Sequence, residues 1–239
     1  MFKKLFKSIK YFFTRGRNKP VYRSEAKPVE NKPDETPIIR LRDMYPKASH
    51  REDMNLFHSP YKFKFDKDHY FIIHFTAGWR NRKFKDFAKR FLEKGLNTMY
   101  LDESGILWQQ AHGDRCGYHT GSKSYVNGKN ISKKSAGVEI ACGGRLKNGK
   151  TWFNQTIPTS DKRTVTTDQG YVIAGDYQKY TAAQEKELVN LLKWVVSKGL
   201  PPENILGHDE IRKRGEKNDP GGSLSMPLKE FIQRKVIGN

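Results

Sequence analysis

The sequence predicts an α/β domain in which helices cover a mixed central sheet, preceded by a basic N-terminal extension. Strand-like and helix-like apolar patterns alternate irregularly from about Tyr70 onward, as layered α/β packing requires. Residues 1–50 carry few branched apolar residues in any regular spacing, so they belong to a different kind of segment. The chain of 239 residues is long enough for one medium domain with a real core plus an extension.

The extension comes first. Phe2, Leu5, Phe6, Ile9, Phe12 and Phe13 fall on one face of a helix and the intervening lysines on the other. That is the pattern of a segment lying on an anionic membrane surface, and a disordered basic tail has the same composition. Both readings stand at this point. Lysines interrupt every apolar run, whereas a secretory signal needs about 7–15 uninterrupted apolar residues and a membrane span about 20. With no secretory signal, the expected location is the cytoplasm of the producing cell. Residues 19–36, with Pro20, Pro28, Pro33 and the nearby Pro37 among charges of both signs, read as a linker. The division is therefore 1–36 tail and linker, 37–68 connecting segment, and 69–239 folded domain.

Within the domain, His69 to Thr76 is dense in aromatic and β-branched residues and reads as a buried strand that turns at Ala77-Gly78. Phe84, Phe87, Ala88, Phe91 and Leu92 recur at helical spacing, and Gly95 stands where a left-handed cap belongs. Met99 to Leu101 and Ile106 to Trp108 flank Asp102-Glu103-Ser104-Gly105 and read as a hairpin. Ala136 to Ala141 reads as another central strand. Asn148-Gly149, between Lys147 and Lys150, is a tight-turn pair, which starts a β excursion through about residue 175. A capping box of Thr181 and Gln184 opens the clearest helix, with Leu188, Leu191, Leu192, Val195 and Val196 on one stripe. Gly199 and Pro201 end it, and Ile205-Leu206 leads into Gly207-His208.

The formal net charge of +19 draws the chain toward polyanions of any kind. No helix-turn-helix, zinc-finger or RNP-like pattern accompanies it, so no specific nucleic-acid partner is expected. Cys116 and Cys142 are too few for a disulfide framework, and they read as two thiols or a single bridge.

The chemistry is carried by histidine. His74 interrupts the most apolar strand at its C-terminal end, a position where a lone histidine is usually a satisfied core residue. His208 changes that reading, because it too ends a short apolar run and is followed by Asp219-Pro220-Gly221, where proline stiffens a loop bearing a carboxylate. Two histidines and one carboxylate with a fourth position open to water make a catalytic zinc set.

Several motifs in order then resemble a known family. They are His74-Phe75-Thr76-Ala77-Gly78, Tyr118-His119-Thr120-Gly121, Ser135 to Ile140, Tyr180 to Gln184, Gly207-His208 and Lys217-Asn218-Asp219-Pro220-Gly221. Their sequence is similar to that of type 2 N-acetylmuramoyl-L-alanine amidases, a family that includes phage endolysins and AmpD-like enzymes and is related to peptidoglycan recognition proteins. The resemblance covers roughly residues 69–236. It implies an amidase/peptidoglycan-recognition-protein-like fold, Zn2+ held by His74, His208 and Asp219, Glu139 as general base and Lys217 as the cation facing the oxyanion. It places His119 and Thr76 on the substrate side, with bacterial peptidoglycan or muropeptides as the partner. The tyrosine that some phage members carry near the zinc falls close to Asn97, with Tyr100 out of step by a few residues. The segment from about Gly143 to Tyr177 is longer than in compact members.

The implied activity is hydrolysis of the bond between N-acetylmuramic acid and L-alanine, and the basic terminus favours a phage endolysin that reaches the wall after release. A cytosolic muropeptide-recycling amidase and a noncatalytic peptidoglycan-binding module are the alternatives. The complete ligand set argues against the second of these.

Deleting residues 1–36 is expected to leave hydrolysis of soluble peptidoglycan fragments nearly unchanged and to weaken binding to anionic vesicles, most at low salt. Attraction of about 1 kcal/mol per basic residue near a membrane, screened within roughly 8–10 Å, sets that expectation. A truncated protein that fails on small soluble fragments would show that the tail packs on the domain.

Overall fold

The computed structural model describes Tyr45 and residues 62–78, 99–109 and 119–238. The tail and linker, most of the connecting segment, the helix expected over Phe84 to Leu92, and Cys116 and Tyr118 lie outside the described residues. No helix among the described residues is long and apolar enough to cross a membrane.

The centre is a five-stranded sheet. In chain order its strands are β1 (Tyr70–Phe75), β2 (Met99–Leu101), β3 (Leu107–Gln109), β6 (Ser135–Ile140) and β9 (Ile205–Gly207), in the spatial order β3-β2-β6-β1-β9. β1 runs parallel to both β6 and β9, β2 runs parallel to β6, and only β3 is antiparallel. The sheet is mixed, as expected. β1 is buried on both faces, which is why its sequence reads as a continuous apolar run rather than an alternation.

The alternation still assigns the faces. Phe71, Ile73 and Phe75 of β1 join Val138 and Ile140 of β6 in the main core, together with Leu188, Leu191, Leu192 and Val195 of the long helix α1 (Ala182–Ser197). Tyr70, Ile72 and His74 point to the opposite face, where Ile72 packs with Ile131 and Ile211. The capping box is present: Gln184 N donates to Thr181 Oγ1 at 3.1 Å, and Thr181 N donates to Gln184 Oε1 at 2.9 Å. Gln184 Nε2 also donates to the Ala141 carbonyl at 2.8 Å, which fixes the helix start to the end of β6. Gly199, at φ 105°, ends α1 in a conformation that residues with a side chain rarely adopt.

Turn chemistry sets the smaller elements. Asp102 Oδ1 accepts from Ser104 N, Ser104 Oγ and Ile106 N, tightening the β2–β3 turn. Asn148 and Gly149 hold φ 52° and 71° while Lys147 and Lys150 exchange both backbone bonds, a two-residue hairpin. Beyond it, β7 (Lys162–Val165) and β8 (Gly175–Gln178) pair antiparallel, and a smaller hairpin joins β4 (Tyr125–Val126) and β5 (Lys129–Asn130).

Two features go beyond the sequence reading. The described part of the connecting segment packs on the core: Tyr45 and Phe65 meet Trp194 of α1 at ring distances of 5.5 and 5.3 Å, and Phe63 is buried. A second helix, α2 (Leu228–Phe231), continues in π-helical turns over Ile232–Ile237 and buries Leu228, Phe231, Ile232 and Val236 in the same core. Pro227 just before it and the basic Lys229, Arg234 and Lys235 had masked the short apolar stripe.

Because Leu191 is fully buried between α1 and the sheet, Leu191→Ala is expected to cost about 2–5 kcal/mol. Removing the cap with Thr181→Ala should cost about 1 kcal/mol. Chemical denaturation of the two variants beside the parent checks both; equal losses would mean that α1 is not held mainly by its buried stripe.

Candidate metal centre

The register of the sheet brings the polar residues of different strands into one row. His74 pairs with Glu139 across β1–β6, Tyr100 pairs with Glu139 across β2–β6, and Trp108 pairs with Tyr100 across β2–β3. Side chains paired in this way stand on the same face, so His74, Glu139, Tyr100 and Trp108 form a line along the face opposite α1. On the other side of His74, β9 ends at Gly207, and His208 N donates to the Ile73 carbonyl at 3.3 Å. That bond carries the sheet one residue further and sets His208 beside His74.

Asp219 returns to the same place through the loop after His208. Asp209 N donates to the Asp219 carbonyl at 3.0 Å, and Gly207 N donates to Glu210 Oε2 at 2.7 Å, so both ends of the loop are pinned. Gly207 is required here: a Cβ would stand 2.2 Å from Asp209 Oδ1 and 2.7 Å from Pro220 Cδ. The Asp219–Pro220 peptide is cis. Arg214 reaches across to Asp168 of the β7–β8 hairpin at 2.6 Å.

The result is a triangle. His74 Nδ1, His208 Nδ1 and Asp219 Oδ2 lie 3.0 Å from one another on every side, and all three residues are buried. Donor atoms bound to zinc tetrahedrally at about 2.0–2.1 Å are separated by about 3.3 Å, so the spacing fits an ion after a small expansion. The donor set fits as well. At most one proton can lie between any two of these atoms, whereas a cation satisfies all three electron pairs at once and leaves a fourth position open.

The electrostatics keep His74 and Asp219 in the forms a metal needs. Burial, reinforced by His208, pulls the His74 imidazole down to about 4. Burial alone would raise Asp219, but the His208 and His74 rings more than offset it and hold the carboxyl well below the usual carboxylate range. Asp209 behaves oppositely, because burial and then the neighbouring Asp219 and Glu210 push it up to about 8.

The other expected site residues are spread around this triangle. His119 Nδ1 lies 2.7 Å from His74 Nε2, against the nitrogen facing away from the cluster. Gly137 makes that possible, since a Cβ there would meet the Ile72 carbonyl at 2.3 Å and His119 Cε1 at 3.0 Å. Glu139 is buried on the strand next to His74. Lys217 is half-buried, and its charge is among those that lower His74. Thr76 is committed to the backbone: its hydroxyl donates to the Cys142 carbonyl and accepts from Gly78 N, both at 3.2 Å.

Two further residues stand beside the cluster. Tyr100 is in register with Glu139, and burial followed by the Glu139 charge raises its phenol. The strand pairing, not the spacing from His74, decides its place. Asp209 is a buried acid directly after His208, and its position beside two other carboxylates within the loop is the only signal the sequence offered.

Fold and site together define a mixed-sheet α/β domain with a cluster able to hold a metal at the carboxyl edge of its central strands. The chain belongs to the N-acetylmuramoyl-L-alanine amidase family, whose profile matches residues 65–222, more than half of its length. Among curated proteins nothing matches. Its fold is similar to that of the amidase AmiD from E. coli, at TM-score 0.50 and 17% identity over 75% of this chain and 61% of that one. AmpD aligns at TM-score 0.49 and 14% identity, covering 80% of this chain and 96% of that one. The endolysin LysCS from Clostridium intestinale URNW aligns at TM-score 0.44 and 13% identity, covering 80% and 97%.

The depressed His74 predicts an acid-side instability. Since its value when folded, about 4, lies below the ordinary 6.5, the unfolded chain binds the extra proton, and stability falls as pH drops from 6.5 toward 4. Asp219, held low, adds a further loss below the ordinary 3.8. Thermal unfolding of chelator-treated protein across this range should show the decline, and His74→Gln should reduce the part between 6.5 and 4, with His119, also held low by burial, carrying the remainder. An identical pH profile in that variant would contradict the assignment.

Proposed function

We propose that this chain is a zinc-dependent amidase that hydrolyses the bond between the lactyl carbonyl of N-acetylmuramic acid and the nitrogen of L-alanine, and that it serves as a phage endolysin. The observation that carries the zinc reading is the mutual 3.0 Å approach of His74 Nδ1, His208 Nδ1 and Asp219 Oδ2. Family membership supports the reaction class. AmiD, of similar fold, is described in complex with the substrate anhydro-N-acetylmuramic acid-L-Ala-D-gamma-Glu-L-Lys, and the same substrate class is proposed here.

Zinc, when bound, polarises the amide carbonyl and lowers the pKa of water at the open position. The chain's own residues then have separate tasks. Glu139, next to His74 in the strand register, takes the proton of the attacking water and returns it to the alanine nitrogen as the C–N bond breaks. Lys217 carries a positive charge toward the oxyanion that develops on the carbonyl oxygen. His119 fixes the orientation of the His74 ring through its outer nitrogen. The products are a muramyl carboxylate and a free peptide amine.

The endolysin reading rests on the basic N-terminal segment of the sequence, with Lys3, Lys4, Lys7 and Lys10 among its phenylalanines. Comparing rates on intact sacculi and on soluble anhydro-muropeptides separates it from a recycling amidase, which would favour the soluble substrate.

Mass spectrometry of digested peptidoglycan should find free L-alanine amino termini and intact glycan strands; any other cleaved bond overturns the proposal. Glu139→Gln is expected to retain metal and lose turnover by about 10²–10⁴-fold, whereas His208→Ala should lose metal and activity together. Zinc content measured beside the rate distinguishes the two.

A further inference from the structure

Pro220 leaves the turn that carries Asp219 with few backbone handles. Its ring has no N–H, so the groups by which the corner can be held are the Asp219 carbonyl, the Pro220 carbonyl and the Gly221 N–H. Asp219, Pro220 and Gly221 are all buried, and buried backbone groups need partners. Ser223 N takes the Pro220 carbonyl at 3.2 Å. The other two go to a single residue. Asp209 N donates to the Asp219 carbonyl at 3.0 Å, and the Asp209 carboxylate accepts from the Gly221 N–H.

The Asp209 side chain is seated for this task. It is buried, and its Oδ1 lies 2.2 Å from where a Cβ on Gly207 would stand. Pro220 Cδ and the Asp219 carbonyl oxygen lie 2.7 and 3.2 Å from that same point. Carboxylate, proline ring and carbonyl thus converge on the space that Gly207 leaves open. That space adjoins both ligands carried by the loop, since His208 follows Gly207 directly and the Asp219 backbone forms part of the wall. Tyr177 packs on Gly221 and Gly222 from the hairpin side, but its hydroxyl donates to the Ile173 carbonyl, so it braces the corner by contact alone. Asp209 is the residue that grips the corner on both sides of Pro220, and it is not one of the three donors.

We propose that Asp209 is a positioning residue for the metal: by holding the carbonyl before Pro220 and the N–H after it, Asp209 keeps Asp219 Oδ2 in the triangle with His74 and His208, and so sets metal affinity without touching the ion. Removing its side chain strands the Gly221 N–H in the interior, and the turn relaxes to find that group another partner. The Asp219 carboxylate moves with the turn. The inference rests on the zinc reading above, and its consequence is read from binding rather than from turnover.

The test uses the full-length protein stripped of metal. Zinc affinity, measured by competition with a chromophoric chelator, is expected to fall by about tenfold or more in Asp209→Ala and to stay within about threefold of the parent in Asp209→Asn, which keeps an acceptor oxygen for Gly221. Amide exchange at Gly221, followed without zinc, should be slow in the parent and in Asp209→Asn and fast in Asp209→Ala. A merely structural role gives a different result: Asp209→Ala would melt at a lower temperature yet, when folded, bind zinc as tightly as the parent. That outcome overturns the proposal, as does unchanged Gly221 exchange in Asp209→Ala. If Asp209→Ala does not fold, Asp209→Ser, whose shorter side chain withdraws the acceptor, is held to the same two expectations. A parent that binds no zinc overturns the metal reading and this proposal with it, whereas tight binding by both the parent and Asp209→Ala overturns this proposal alone.

Discussion

The pairing of β1 with β6 on one side and β9 on the other governs everything at the carboxyl edge of the sheet. Because all three strands run parallel, their C-terminal ends coincide, and residues far apart in sequence arrive at one place. His74 is the fixed point of this arrangement: Glu139 stands beside it by register, and His208 follows Gly207 one step beyond the last paired residue. A one-residue slip of β1 would carry His74 to the face packed against α1 and bring Phe75 into the cluster.

Burying this much polarity is expensive, and the site is arranged so that the cost is offset locally. Among the described residues, the side-chain partners of the buried Asp219 carboxylate are two imidazoles, one of them held neutral by its own burial. An isolated charge in such surroundings is strongly disfavoured. A divalent cation between the donors would turn that liability into binding energy and would couple retention of the metal to the integrity of the loop carrying His208 and Asp219.

That loop is in turn braced by the β excursion. The Tyr177 ring lies against Gly221 and Gly222, where a Cβ would approach it to 3.0 and 2.5 Å, and its hydroxyl donates to the Ile173 carbonyl at 2.8 Å. With the Arg214–Asp168 pair, the β7–β8 hairpin forms a wall against the Asp219 turn. The second half of the 143–177 segment thus supports the loop that carries His208 and Asp219.

What the sequence determined is mostly local. The strand at Tyr70–Phe75, the β2–β3 hairpin, the Asn148-Gly149 turn and the capped helix from Thr181 each follow from residue type and spacing within a few positions, because backbone preference and turn chemistry act at short range. The three donors were legible for a related reason, since each ends an apolar run or precedes a stiff Pro-Gly turn. Tertiary structure decided what depends on strand order. No spacing along the chain tells that Tyr100 lies opposite Glu139, that Gly137 makes room for His119, that Thr76 is spent on the backbone of Cys142, or that Phe63 and Phe65 belong to the core. Those relations are set by which strands pair and in what register, and that choice is made by the burial of both sheet faces together, a quantity that no single segment contains.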